Sequence, residues 1–151
     1  MDIAFSGNFQ YTVDSKGRVN IPAPYRNQVT DNTFNITYGP HTSLFVYPGE
    51  IFKEFSLKLA QSYGSLASSD EERRYLLKVM HDAHPSRCDQ QGRIIIPKKH
   101  LEHAKIDKEV LIIGVVTRME FWNPELFEEF MNNGSLSNNE LIKRFGGADK
   151  L

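Results

Sequence analysis

The stretch Asp14-Ser15-Lys16-Gly17-Arg18-Val19-Asn20-Ile21-Pro22 returns 75 positions later as Asp89-Gln90-Gln91-Gly92-Arg93-Ile94-Ile95-Ile96-Pro97. Without a gap, the same offset aligns Gly39 with Gly114, Thr42 with Thr117 and Tyr47 with Trp122. It also sets Glu50-Ile51-Phe52 on Glu125-Leu126-Phe127, and Glu54-Phe55 on Glu129-Phe130. Positions 14 to 55 hold 11 identities in 42, where unrelated segments of average composition would share roughly two or three. The chain is a tandem duplication. A unit of about 75 residues is near the lower limit for burying a sufficient core alone, so the halves are expected to pack on each other as a pseudo-symmetric pair.

Each half reads as strand, tight turn, strand, short helix, two strands, helix. Phe9, Tyr11 and Val13 alternate as a half-buried strand does. The Asp-x-x-Gly-Arg segment reads as a turn, because Gly accepts positive φ without strain. Val19-Asn20-Ile21 and Ile94-Ile95-Ile96 are β-forming runs, each stopped by a proline that cannot donate to a ladder. Pro22 and Pro97 then open short helices, Ala23 to Gln28 and Lys98 to Ala104. Strand pairs are expected at Phe34–Tyr38 with Leu44–Tyr47 and at Val110–Val116 with Met119–Trp122, followed by helices at Pro48–Ala60 and Pro124–Asn132. Ser69-Asp70-Glu71-Glu72 and Ser137-Asn138-Asn139-Glu140 are capping boxes opening a linker helix and a short terminal one.

Composition narrows the function classes. The 151 residues carry 18 Lys+Arg against 19 Asp+Glu and one cysteine, which is ordinary globular composition with no disulfide framework or Cys-rich zinc site. The N-terminal residues lack the basic and apolar runs of a secretory signal, and the Val110–Val116 stretch is too short to cross a bilayer. A cytoplasmic protein is expected. Net charge is −1, but Asp14–Thr30 carries +2 and Arg87–Lys105 carries +3, so two basic segments stand in an acidic background.

The repeated Asp-x-x-x-Arg pattern carries most of the chemistry. Gly17 and Gly92 would tighten each turn so that Arg18 and Arg93 project outward, where guanidinium forks suit phosphate oxygens or the guanine O6/N7 edge. Asp14 and Asp89 would orient the arginines or bond the turn backbone. The competing reading is an ion pair that closes a β-turn and does nothing further. No nucleophile elbow, Walker-type loop or dinucleotide fingerprint occurs, and no catalytic residue, cofactor or small-molecule substrate is assigned. Cys88 stands opposite Val13 in the repeat and reads as a small buried residue. His81-x-x-His84 and His100-x-x-His103 have helical spacing but no third ligand at a matching distance, so no metal is expected. His41 reads as a solvent-facing turn residue. Phe52, Phe55, Phe127 and Phe130 form a recurring stripe suited to a core or a subunit interface.

With both Asp-x-x-x-Arg copies, Lys108-Glu109-Val110-Leu111-Ile112-Ile113-Gly114, Met119-Glu120-Phe121-Trp122 and the Glu71-Glu72-Arg73-Arg74 helix between the copies, the chain resembles the MraZ family from about Gly7 to Phe130. The resemblance implies a mainly β (α+β) fold with capping helices, a tandem duplication of an AbrB-like double-split β-barrel unit. The repeat and the loop and capping signals between its copies divide the chain into a first AbrB-like repeat at 1–61, a linker and connecting helix at 62–83, a second at 84–131 and a polar tail with a short helix at 132–151. The resemblance implies a bacterial, nucleoid-associated transcriptional regulator, a repressor of the division and cell-wall gene cluster, whose ring-shaped homo-oligomer binds repeated promoter boxes in double-stranded DNA. Carried over by position, the DNA-contacting motifs are Asp14–Arg18 and Asp89–Arg93, with Lys16, Arg18 and Arg93 as the DNA-binding residues and Asp14, Gly17, Asp89 and Gly92 in support; by their charge alone, Arg26, Lys98 and Lys99 are candidates for further phosphate contacts. Gln90-Gln91 stands where the first copy has Ser15-Lys16, so the first half is expected to dominate phosphate binding. The rival reading is a non-enzymatic interaction module, an antitoxin-like scaffold on the same fold.

Overall fold

The computed structural model describes residues 2–147; the last four positions of the expected tail lie outside the described residues. The strands are β1 (Asn8–Thr12), β2 (Arg18–Asn20), β3 (Thr33–Tyr38), β4 (Leu44–Pro48), β5 (His84–Arg87), β6 (Arg93–Ile95), β7 (Glu109–Val115) and β8 (Arg118–Trp122). The helices are α1 (Ala23–Arg26), α2 (Gly49–Tyr63), α3 (Asp70–Asp82), α4 (Lys98–Ala104), α5 (Pro124–Asn132) and α6 (Asn138–Phe145). Both capping boxes form: Ser69 and Ser137 each accept from the backbone N–H three residues on, and Glu72 and Glu140 accept in return. Pro48, Pro97 and Asn123 precede the helices they start, and the Asn123 carboxamide accepts from two first-turn N–H groups of α5.

Strand pairing is exchanged between the halves. One antiparallel six-stranded sheet runs β1-β7-β8-β4-β3-β5, and β2 pairs with β6 in a separate two-stranded ladder. The first strand of each half thus completes the sheet of the other, β1 on β7 and β5 on β3. Two cross-strand pairs join a residue to its own repeat counterpart, Val19 to Ile94 in the ladder and Phe45 to Glu120 in the sheet. An approximate two-fold axis therefore passes through both layers. Ladder and sheet share one core: Val19, Ile21, Ile94 and Ile96 pack in the same cluster as Phe34, Ile36, Leu44, Val46, Val110, Ile112, Met119 and Phe121. Strand exchange gives each half the burial that its short chain cannot reach alone.

The repeat is not in ungapped register throughout. Phe34 and Ile36 face the core in β3, and the matching inward residues of β7 are Val110 and Ile112, offset by one more than the ladder. An ungapped match would set Phe34 against exposed Glu109 and turn every side chain to the wrong face. One residue is gained before β7 and lost in the following hairpin, so Leu44 and Val46 again correspond to Met119 and Phe121. Gly39 and Gly114 are consequently identical without being equivalent. Gly39 opens the β3–β4 loop, whereas Gly114 lies inside β7, where a Cβ would meet Ser6 N at 2.5 Å.

Symmetry persists at the helix starts with different chemistry. The Tyr25 hydroxyl donates to Ser6 O and Gly7 O at 2.6 and 3.0 Å; its counterpart His100 engages Asp82 O through Nε2 at 2.7 Å. Each ring ties down the chain just ahead of β1 or β5. The phenylalanine stripe sits outside the main core cluster. Phe52 and Phe55 gather on Tyr47, Phe127 and Phe130 on Trp122, and Phe130 remains 47% exposed. Helix α6 buries none of its residues; Leu141, Ile142 and Phe145 are exposed.

Candidate nucleic-acid interface

Each Asp-x-x-x-Arg segment folds into the same hydrogen-bonded turn. Asp14 N donates to Arg18 O and Gly17 N to Asp14 O, both at 3.0 Å; the second copy repeats this with Asp89, Gly92 and Arg93 at 2.9 and 3.0 Å. One carboxylate oxygen of Asp14 accepts from Lys16 N and Arg18 N, and the other from Arg18 Nε at 2.6 Å. Asp89 binds Gln91 N, Arg93 N and Arg93 Nε in the same way, the last at 2.9 Å. The Arg backbone N–H, followed by its side chain and the N–H two residues on, holds both carboxyls below the ordinary carboxylate value. Gly17 and Gly92 have φ of +80° and +78°, the left-handed region that a side chain strains. A Cβ on Gly17 would stand 2.7 Å from Ile96 O, and one on Gly92 would meet the Arg26 guanidinium.

The aspartate bridges only Nε of each arginine, so the two terminal amino groups of Arg18 and Arg93 keep no hydrogen-bond partner among the described residues. Period-two alternation then sets their direction. Val19 and Ile94 point into the core at 1% and 0% exposure, which puts Arg18, Asn20, Arg93 and Ile95 on the outer face of the ladder. Register sets Arg18 opposite Ile95 and Asn20 opposite Arg93, so the arginines are diagonal neighbours, a separation of roughly 7–8 Å or a little less that long side chains can span. Both arginines therefore emerge on one face.

The remaining basic residues divide between the turns by crossing halves. A groove beside the first turn is lined by Asp14, Lys16, Lys98 and Lys105, so Lys98 of the second half lies near Lys16. Lys99 is exposed and outside that groove. Arg26 belongs to the first half but lies on the second turn. Asn20 also reaches across, its amide donating to Gln91 O at 3.0 Å. Asn20, Ile95 and Lys105 were not among the sequence candidates; strand alternation identifies the first two, since they share parity with the arginines.

Sites set aside by sequence occupy ordinary positions. Cys88 is half-buried rather than fully buried, and burial pushes its thiol up to about 11. His81 and His84 do not share a helix: His81 is on α3 and His84 begins β5. His100 and His103 both lie against the Tyr38 ring. His41 is exposed with φ +56° and sits 5.1 Å from the Phe130 ring. Among the described residues, no three His, Cys, Asp or Glu side chains are grouped to hold a metal, and no helix is long and apolar enough to cross a membrane.

A family profile described as "MraZ protein, putative antitoxin-like" matches residues 4–76 and 80–145, one match over each half. The chain belongs to the MraZ family. A protein of Thermoanaerobacter pseudethanolicus named "Transcriptional regulator MraZ" is 40% identical over 138 residues, covering 91% of this chain and 93% of its own. The protein of that name from Pediococcus pentosaceus is 41% identical over 126 residues, covering 83% and 85%. That from Finegoldia magna is 36% identical over 146 residues, covering 96% and 99%. The two profile matches span both turns and the exchanged strands β1 and β5.

Proposed function

We propose that the chain is a DNA-binding transcriptional regulator rather than an enzyme, and that the outer face of the β2–β6 ladder is its contact surface for double-stranded DNA. The observation that carries this reading is the placement of Arg18 and Arg93 on one exposed face with their terminal amino groups uncommitted. A two-stranded ribbon is narrow enough to enter the major groove, where such forks bind guanine edges or flanking phosphates. Lys16 adds charge at the first turn and Lys98 of α4 adds more in the groove beside it, while exposed Lys99 is a further phosphate contact of the proposal. Asp14, Gly17, Asp89 and Gly92 shape the turns and make no base contact. The relatives' names support regulation of transcription.

The finer reading has the two repeats, 1–61 and 84–131, joined by the 62–83 segment in an AbrB-like double-split barrel, with 132–151 as a polar tail. The protein acts in the cytoplasm at the nucleoid, as a ring-shaped repressor of the division and cell-wall cluster. Few cations per protomer give weak binding, and a ring facing repeated promoter boxes makes later contacts intramolecular, which raises avidity without new chemistry. Arg18→Ala or Arg93→Ala is expected to weaken binding of the DNA upstream of the chain's own coding sequence by about 1–3 kcal/mol per site. The check is fluorescence anisotropy on folded protein over a salt series. Affinity that ignores both salt and the two substitutions would reject DNA binding in favour of the scaffold reading.

A further inference from the structure

The two turns are unequal in sequence and are made alike by a residue exchanged between halves. Lys16 of the first turn has Gln91 as its counterpart, so the second turn lacks a cation at its tip. Arg26 lies over that turn. Its guanidinium stands directly on Gly92, and Nη1 donates to Ile21 O at 2.8 Å. It lines both open grooves flanking the turn, one with Asp89, Gln90 and Gly92, the other with Asn20, Ile21 and Gln91. The counterpart of Arg26 at the first turn is Leu101, whose Cδ1 would lie 3.8 Å from a Cβ on Gly17. The pattern is reciprocal: where the turn has its own lysine the neighbouring half supplies an apolar side chain, and where it has glutamine the neighbouring half supplies an arginine.

We propose that Arg26 is the missing cation of the second turn and contacts a DNA backbone phosphate there, on the turn that presents Arg93. This rests on the DNA-binding reading and goes beyond it by assigning Arg26 to the half opposite its own. Gly92 is then glycine for two reasons, its positive φ and the guanidinium seated on it. The hydrogen bond to Ile21 O holds the fork at the turn and commits one amino group, leaving the other for an anion.

Three variants separate charge from bracing: Arg26→Lys keeps charge, Arg26→Gln keeps a donor for Ile21 O, and Arg26→Leu copies the residue at position 101. Each is measured for thermal midpoint, and for binding to the same upstream DNA fragment as a function of salt. The slope of log K against log salt should fall by about one in Arg26→Gln and Arg26→Leu and stay near that of the parent in Arg26→Lys. A parent-like slope in folded Arg26→Gln, or equal losses in the Lys and Gln variants, would overturn the assignment and leave Arg26 a brace. If Arg18→Ala and Arg93→Ala also bind as the parent does, the DNA-binding reading itself fails, a result distinct from losing Arg26 alone.

Discussion

Gly17→Ala and Gly92→Ala form a matched pair whose outcomes should differ. Both glycines have nearly the same positive φ, +80° and +78°, so both substitutions incur the same left-handed strain, about 1–2 kcal/mol. The neighbours separate them. A methyl on Gly17 would meet the Ile96 carbonyl at 2.7 Å, and Ile96 N bonds Gly17 O at 2.8 Å. Relieving that clash displaces hydrogen-bonded backbone at that end of the β2–β6 ladder. A methyl on Gly92 meets the Arg26 side chain, which can swing into open groove. Gly17→Ala should therefore exceed the strain and cost about 3 kcal/mol, the upper end of the usual range for point substitutions. Gly92→Ala should stay at about 1–2 kcal/mol.

For a chain of this length each kcal/mol moves the midpoint by about 2–4 °C, so the drops are about 6–12 °C for Gly17→Ala and about 2–8 °C for Gly92→Ala. The assay is thermal unfolding followed by circular dichroism at one fixed protein concentration, since assembly would shift both midpoints. Equal losses, or a larger loss at Gly92, would refute the steric reasoning. The smaller stability loss at Gly92 should accompany a flatter salt dependence of DNA binding, because the same methyl evicts Arg26.

Two further outcomes test the fold. Ile36→Ala and Ile112→Ala, both at 0% exposure, should each cost about 2–5 kcal/mol, while Leu111→Ala on the opposite face of β7 should cost less than half as much; denaturant titration giving Leu111 the larger loss would refute the one-residue register shift. His100 is held below its ordinary value of 6.5, chiefly by burial, so the unfolded chain takes up its proton first and stability should fall as pH drops below about 6.5. His100→Gln, which keeps a donor for Asp82 O, should flatten that fall in unfolding titrations; an unchanged pH slope would remove His100 as its cause.

Local sequence carried the elements well, because their signals are local. The capping boxes at Ser69 and Ser137, the proline stops after Ile21 and Ile96, and the alternation around Phe9 all act over a few residues, and each appears where it was read. The repeat was also legible, yet its ungapped form misled inside β3 and β7. Identity at Gly39 and Gly114 outweighed strand parity, and only the core shows that Phe34 corresponds to Val110. The helical spacing of His81 and His84 failed for a related reason: α3 ends at Asp82 because His84 pairs with Ile36. The phenylalanine stripe was helical as expected but formed satellite clusters on Tyr47 and Trp122, a choice that depends on which strand residues face outward.

What the residues alone determined is the duplication, the two glycine-tightened turns and the arginine each presents. These follow from φ preferences, side-chain hydrogen bonds and period-two patterning within nine consecutive residues. What only tertiary structure decided is how the halves complete each other: β1 in the sheet of the second half, β5 in that of the first, and Arg26 resting on Gly92. No local pattern names a strand's partner, because pairing is chosen by the apolar surface that a short unit leaves uncovered. Here each half covers the other, and the same exchange that closes the core brings the arginines onto one face.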